Sequence, residues 1–331
     1  MRRSTKKIAT LMSGLTIATL LAGCGAAAEG DSADSTFRMG IQPWIGYGPW
    51  YVAEEQGYFA DNDVNVELTN FNTDDQLNAA LAGKKLDGAN VATHTALKLI
   101  SAGVPVTIVL LEDVSETADA IMASAGIDSI SDLKGQKVAY EEGTTSDILL
   151  NYALEQNGMS IDDIEKVPLP ASDAGSALIA GRVPVAVTYE PYLTTALAED
   201  EGVKLLYTAG ENPGIIGDVL IVRNDVIENE PEKVQALVDS WGESIDFYDE
   251  NTKEAQGIIA KAVGATADEL STAFEGVKFY GIAENKTLLP GEYRDKTLQD
   301  VLDAARTAGI IEDEVDTSAV IDSTFVEAAK G

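Results

Sequence analysis

The chain has 331 residues with one cysteine, one histidine and 55 acidic against 23 basic side chains, a formal net charge of −32. So acidic a surface repels nucleic acid and anionic lipid headgroups, and neither is an expected partner. One His and one Cys also exclude Cys/His zinc sites and catalysis built around several histidines.

In chain order, Arg2, Arg3, Lys6 and Lys7 form a basic start, an apolar run spans Ile8 to Ala22, and Leu21-Ala22-Gly23-Cys24 closes it. Basic, apolar and small residues in that order make a secretory signal, and about fifteen apolar residues are too few to span a bilayer comfortably. A cysteine directly after the small residues resembles a bacterial lipobox, in which residues 1–23 are removed and the Cys24 thiol is lipidated. An ordinary signal peptide with a chance cysteine is the plainer alternative. Processing at Cys24 removes four basic residues and no acid, leaving 308 residues with a net charge of −36. The lipobox reading puts the chain outside the cytoplasm, anchored to the cell membrane by lipid on Cys24. Residues 24–36, small, polar and acidic, read as a flexible tether. No later apolar run approaches eighteen residues.

From residue 37 short apolar strands alternate with helices. Phe37–Ile41 reads as a strand and Pro49–Gln56 as a helix, with Pro at its first position and Gly57 as its stop. Val64–Phe71 alternates as a strand, and a helix over Thr73–Ala82 closes at Gly83. Strands at Leu86–Val91 and Val104–Leu111 flank a helix over Thr95–Ala102. The pattern then repeats, with strands at Lys137–Tyr140, Ile164–Leu169 and Val183–Tyr189 and helices at Ser146–Asn157 and Asp173–Ala180. After Arg223 helices dominate: Pro231–Tyr248, Thr252–Val263, Thr266–Phe274, Lys296–Ala308 and Ser318–Ala329.

Such alternation predicts an α/β fold of two lobes, each a mostly parallel sheet flanked by helices. Ala118–Ser124 and Gly217–Arg223 read as two hinge crossings. The expected organisation is therefore a first lobe over 37–118, a second over 119–219, and a largely helical return to the first lobe over 220–331. Two lobes joined by a double crossing are built to close over a ligand.

Several motifs point to a family. They are Trp44-Ile45-Gly46-Tyr47-Gly48-Pro49-Trp50-Tyr51-Val52-Ala53 with Gly57-Tyr58-Phe59, then Ser131-Asp132-Leu133-Lys134-Gly135 before Val138-Ala139. Gly143-Thr144-Thr145-Ser146, Tyr189-Glu190-Pro191, and Pro213-Gly214 with Asp218-Val219-Leu220-Ile221-Val222 follow in order. Together they resemble the nitrate/sulfonate/taurine-type substrate-binding proteins of ABC transporters, within the thiamine-pyrimidine-receptor-like superfamily. The resemblance implies a type II periplasmic-binding-protein fold that captures a small solute and passes it to a permease and its ATPase. It implies no cofactor and no catalysis, and a receptor that hinges is most simply a monomer. The chain departs from the family pattern at Tyr189, where Trp is frequent, and at Glu141-Glu142.

Ligands in such folds sit at strand ends and helix starts between the lobes. The expected site draws on Trp44, Tyr47, Asp74, Thr93, His94, Asp119, Glu142, Thr144, Thr145, Ser146, Tyr189, Glu190 and Asp218. Six of the 21 aromatic residues fall between Trp44 and Phe59. Tyr51, Tyr58 and Phe59 read as packing residues, whereas Trp44 and Tyr47 occupy a Gly-rich turn where lining the site and packing the core both fit. Thr144-Thr145-Ser146 opens a helix whose free N–H groups suit an anion, although hydroxyls there also serve as caps. The acids Asp113, Asp119, Glu141, Glu142, Glu190 and Asp218 pull toward positive charge, and Asp218 and Glu190 stand out inside apolar or aromatic segments. A zwitterion such as an aminosulfonate, or a compact amine or guanidinium, reconciles the two. His94 has no base, nucleophile or metal partner in the sequence pattern, so it reads as a lining or surface residue. Two alternatives share the fold: a pyridoxal-phosphate enzyme of thiamine-pyrimidine synthesis, which an export signal opposes, and an extracellular sensor.

Overall fold

The computed structural model describes Thr36–Lys330. The signal segment 1–23, Cys24 and the tether up to Ser35 therefore lie outside the described residues. Within them, the first sheet takes β1 (Phe37–Ile41), β2 (Val66–Asn70), β3 (Gly88–Ala92) and β4 (Val106–Ser115) before the chain crosses over. The second takes β5 (Asp119–Ala123), β6 (Lys137–Tyr140), β7 (Glu165–Pro168), β8 (Val185–Tyr189) and β9 (Lys204–Thr208). The chain then returns with β10 (Gly217–Arg223) and β11 (Val277–Phe279). Strand order is β11-β4-β10-β3-β1-β2 in the first sheet and β7-β6-β8-β5-β9 in the second.

The sheets are mixed rather than mostly parallel. β1 runs parallel to β2 and β3, and β6 to β7 and β8. β10 is antiparallel to β3 and β4, and β5 to β8 and β9. β5 and β10 are the strands that follow the crossings, so they enter their sheets from the cleft end, opposite to strands fed by helices. Gly217–Val219, expected to end the second lobe, thus belong to the first sheet. The crossings are Glu116–Ala118 and Ala209–Ile216, tied together by Gly210 N–H donating to the Glu116 carbonyl at 2.7 Å and Ser115 N–H to that of Ile216 at 3.0 Å.

Local chemistry sets the helix ends that aim residues at the cleft. Thr73 caps Asp74–Ala82 by accepting from the Gln76 N–H at 3.4 Å, with Asp74 and Asp75 in the first turn. Gly57, at φ +85°, ends Gly48–Gln56 in the left-handed conformation that glycine adopts without strain. The return is less regular than expected. Thr266–Phe274 reduces to a helix over Ser271–Gly276, and Ser318–Ala329 to Thr324–Ala328. Leu298–Thr307 is preceded by a wide helical turn, Leu289–Thr297, broken at Gly291 (φ −109°, ψ −116°) just after Pro290.

The largest apolar core runs through the first sheet and its covering helices to one face of the second sheet, where Ile121, Val138 and Val187 join it. A second cluster, rich in alanine, covers the opposite face of that sheet with Ala120, Met122, Ala139 and Ala186. Alternate β5 residues therefore feed different cores, as a two-residue period demands of a strand buried on both faces. No helix among the described residues is long and apolar enough to cross a membrane.

Candidate functional site

The floor of the site is the meeting of β4 and β10. Asp113 and Asp218 are directly opposite in the antiparallel register, and Ala92 at the end of β3 faces Asp218 on the other side. The register slips here, leaving Glu112 as the extra residue of a bulge. Glu112 Oε1 accepts from the Trp50 indole N–H at 2.7 Å, while Oε2 has no hydrogen-bond partner. Three carboxyls thus sit within two neighbouring strand ends, each below a tenth exposed. Like charges directly opposite on paired strands destabilise a sheet, so the arrangement needs another reason.

The aromatic turn after β1 closes over this floor. Tyr47 donates its hydroxyl to Asp218 Oδ1 at 3.2 Å. Gly46 is required by close approach: a Cβ there would lie 2.0 Å from Asp113 Oδ2 and 2.3 Å from Trp44 Nε1. From the second lobe, the Tyr189 ring meets Trp44 edge-on at 6.2 Å and packs on Tyr192 at 5.6 Å. Asp119, at the start of β5, lies opposite Tyr189 and interacts with Ser115 and with Thr145 at the start of the helix Thr145–Gln156. Asp74 completes the group from the first lobe, held by Gln42 and Thr95 and within electrostatic reach of Tyr47 and Tyr189.

Burial dominates the electrostatics. It pushes the Asp113 carboxyl well above the usual range, helped by the charges of Asp218 and Glu112. Asp218 is pushed up to about 6 by burial, opposed by hydrogen bonding to Asp113, Tyr47 and Trp44. Asp119 rises to about 7, again through burial and with Asp218 and Glu190 adding to it, while Ser115 and Thr145 oppose. Burial also raises Glu112 and Asp74, the latter opposed by Gln42, Lys98 and Thr95. The cleft therefore holds several carboxyls that burial pushes toward the protonated form.

Other expected site residues have different tasks. Glu142 pairs with Lys166 at 3.7 Å, with its side chain half exposed, and accepts from the Tyr140 hydroxyl at 3.4 Å, so its partners lie outside the Asp218 group. Glu190 is buried but accepts from the Thr194 N–H at 3.1 Å and the Thr194 hydroxyl at 2.9 Å, so it caps the helix Tyr192–Glu199 and adds only its charge to the site. Thr144 donates to the Glu141 carbonyl at 3.0 Å instead of capping its helix, and Asp147, in the first turn, reaches back to accept from the Gly143 N–H at 2.9 Å in the loop. Ser146 is buried with no hydrogen-bond partner for its hydroxyl. Thr93 donates to the Gly217 carbonyl at 3.0 Å and shares a 2.8 Å hydrogen bond with Tyr293, bracing the start of β10. His94 is buried, and burial with the nearby Lys98 lowers it to about 4, so its ring is neutral at pH 7.

Behind the floor, Asp113, Gly217 and Asp218 also line a cavity of about 120 Å³ whose far wall includes Tyr280, Glu292 and Tyr293. These return-segment residues and Asp113 as a member of the central group are the functional positions that the expected site omitted. Among the described residues no group of three His, Cys, Asp or Glu side chains is arranged to hold a metal.

Comparison with known proteins agrees with this architecture. A Brucella abortus protein provisionally named a binding protein is 27% identical over 223 residues, covering 67% of this chain and 69% of its own. A Bacillus subtilis protein provisionally named an aliphatic sulfonates-binding protein is 24% identical over 318 residues, covering 94% and 93%. The crystal structure of the Escherichia coli periplasmic aliphatic sulphonate binding protein superposes with a TM-score of 0.76 over 88% of this chain and 92% of that one, at 20% identity. That likeness shows the two-lobed fold, and all three carry the names of binding proteins rather than enzymes. The family model described as NMT1/THI5 like matches residues 44–255, well over half of the chain, which therefore belongs to the NMT1/THI5-like family.

Proposed function

We propose that the protein is the extracytoplasmic solute-binding component of an ABC importer, selecting a small solute with an ammonium or guanidinium head, alone or in a zwitterion. The observation that carries this reading is the convergence of Asp74, Asp113, Asp119 and Asp218 from both lobes beneath Trp44, Tyr47 and Tyr189. The groups acting on Asp113, Asp119 and Asp218 are other carboxyls, hydroxyls and an indole. A nitrate or plain sulfonate placed there meets repulsion, whereas a cation meets attraction and flanking aromatic faces.

Capture draws the two lobes together because Asp119 and Tyr189 belong to one and Asp218 and Trp44 to the other, so ligand contacts favour the closed form. On this reading lipid on Cys24 anchors a monomeric receptor to the cell membrane outside the cytoplasm, where it delivers solute to a permease and its ATPase.

Thermal unfolding of the mature domain against nitrate, alkanesulfonates, taurine, amines, guanidine and urea tests the reading. A ligand at a hundred times its Kd adds about 2.7 kcal/mol of stability, readily seen as a melting shift. Shifts confined to cations or zwitterions support the proposal. A shift with nitrate or plain sulfonates alone refutes it.

A further inference from the structure

We propose that the Asp113–Asp218 pair is one seat, filled either by a shared proton or by the positive head of the solute, so that capture expels the proton. This inference rests on the cationic reading above and adds a coupling to it. The two carboxyls are opposite in register on adjacent strands, and both are buried. Asp218 already receives the Tyr47 hydroxyl at 3.2 Å. Asp113 Oδ2 is different: it is fully buried, has no hydrogen-bond partner, and its residue lines the cavity of about 120 Å³. An oxygen in that position asks for a donor, which a proton shared with Asp218 or the head of a guest would provide.

Two carboxyls this close cannot both ionise in a dry site without a cation between them. The surroundings sharpen the conflict. Glu112 flanks the pair on β4, Asp74 faces it from its helix, Asp119 from β5, and Tyr280, Glu292 and Tyr293 from the return segment. Lys98 acts on Asp74, at the margin of the group. In the empty protein one proton resolves the conflict, with one carboxyl donating to the other. When an ammonium or guanidinium enters, its N–H groups take over both carboxylates and the proton leaves to solvent. The seat carries one net negative charge in either state, so the exchange balances. A guanidinium fits best, since its planar donors can address two carboxylates at once.

Two measurements on the mature domain test the seat. Carbon-13 NMR of the aspartate carboxyls in the ligand-free protein should show the pair titrating in two separated steps, one of them near neutral pH. Asp113→Asn should abolish the upper step, and Asp218→Asn offers the same test should the first variant fail to fold. Calorimetry with guanidine, ethylamine, taurine and nitrate, in two buffers of different ionisation enthalpy, should show up to one proton released per cation bound at or below pH 6. Affinity should then rise by up to tenfold per pH unit between pH 5 and 6. Cation binding without proton release overturns the seat but leaves the cationic reading intact, whereas binding of nitrate alone overturns both. If none of the four probes binds, the ligand-free titration decides: independent steps near the ordinary aspartate value overturn the seat.

Discussion

Strand β10 has a charge cluster near each end, the distal one partly exposed and the cleft one buried, and the two are opposites. At its distal end Arg223 reaches the Leu86 carbonyl at 2.6 Å, Asp87 at 3.3 Å and Asp225 at 2.9 Å, and Arg38 closes on Asp87 from β1 at 2.6 Å. Hydrogen bonds from Arg223 and Lys84 hold Asp225 down at about 2. At the cleft end Asp218 faces Asp113 and rises to about 6. The same strand thus supplies a control. At the distal end Asp87 has guanidinium partners; at the cleft end Asp113 and Asp218 have none, the place that the proposal gives to a guest.

The comparison can be broken most forcefully at the paired end. Arg223→Met takes the donor from the Leu86 carbonyl and leaves Asp87 to Arg38, and should cost about 3 kcal/mol in urea unfolding, with solute affinity unchanged within twofold. Asp218→Asn should do the reverse, lowering affinity for a cationic solute by about 3 kcal/mol, or two orders of magnitude in titration calorimetry, without loss of stability at pH 7.5. The pH dependence of the ligand-free fold gives a third contrast. Asp113, Asp119 and Asp218 hold their protons more tightly folded than unfolded, so their contribution is complete below an unfolded value of about 3.9. It is lost as pH rises through about 6 for Asp218 and about 7 for Asp119. Stability should therefore fall between about pH 4 and pH 7, by up to about 1.4 kcal/mol per pH unit for each carboxyl, and saturating solute should flatten the profile. The smallest effect is expected at the brace behind the floor, where Tyr293→Phe removes the 2.8 Å bond to Thr93 and should cost about 1 kcal/mol of stability.

The α/β alternation was legible because helix stops at Gly57, Gly83, Gly158 and Gly181 punctuate strands of regular length. Antiparallel β5 and β10 were not, since direction follows from which end of a sheet the chain enters, and no residue encodes that. Asp218 announced itself as an acid inside the apolar run Val219–Val222. Asp113 stood only among the nearby acids, outside the expected site, because the apolar pattern of β4 ends at Leu111 and the strand continues through Glu112 to Ser115 by pairing with β10 and β11. Glu190 looked equivalent to Asp218 in sequence, and Glu142 was a lesser candidate; what separates both from Asp218 is the partner each finds, Thr194 and Lys166, on elements whose placement depends on the tertiary fold. The wall made by Tyr280, Glu292 and Tyr293 comes from a segment interrupted at Gly291, where no periodic signal survives.

The edge-on contact between Trp44 and Tyr189 also makes the molecule its own optical gauge. The chain has three tryptophans. Trp50 and Trp241 are fully buried and packed together at 4.9 Å inside the first lobe, where parting the lobes leaves their surroundings unchanged. Trp44 alone touches the other lobe, so opening moves one indole from an aromatic wall into water and shifts its emission to the red. A single native fluorophore can thereby time each capture and release without any label.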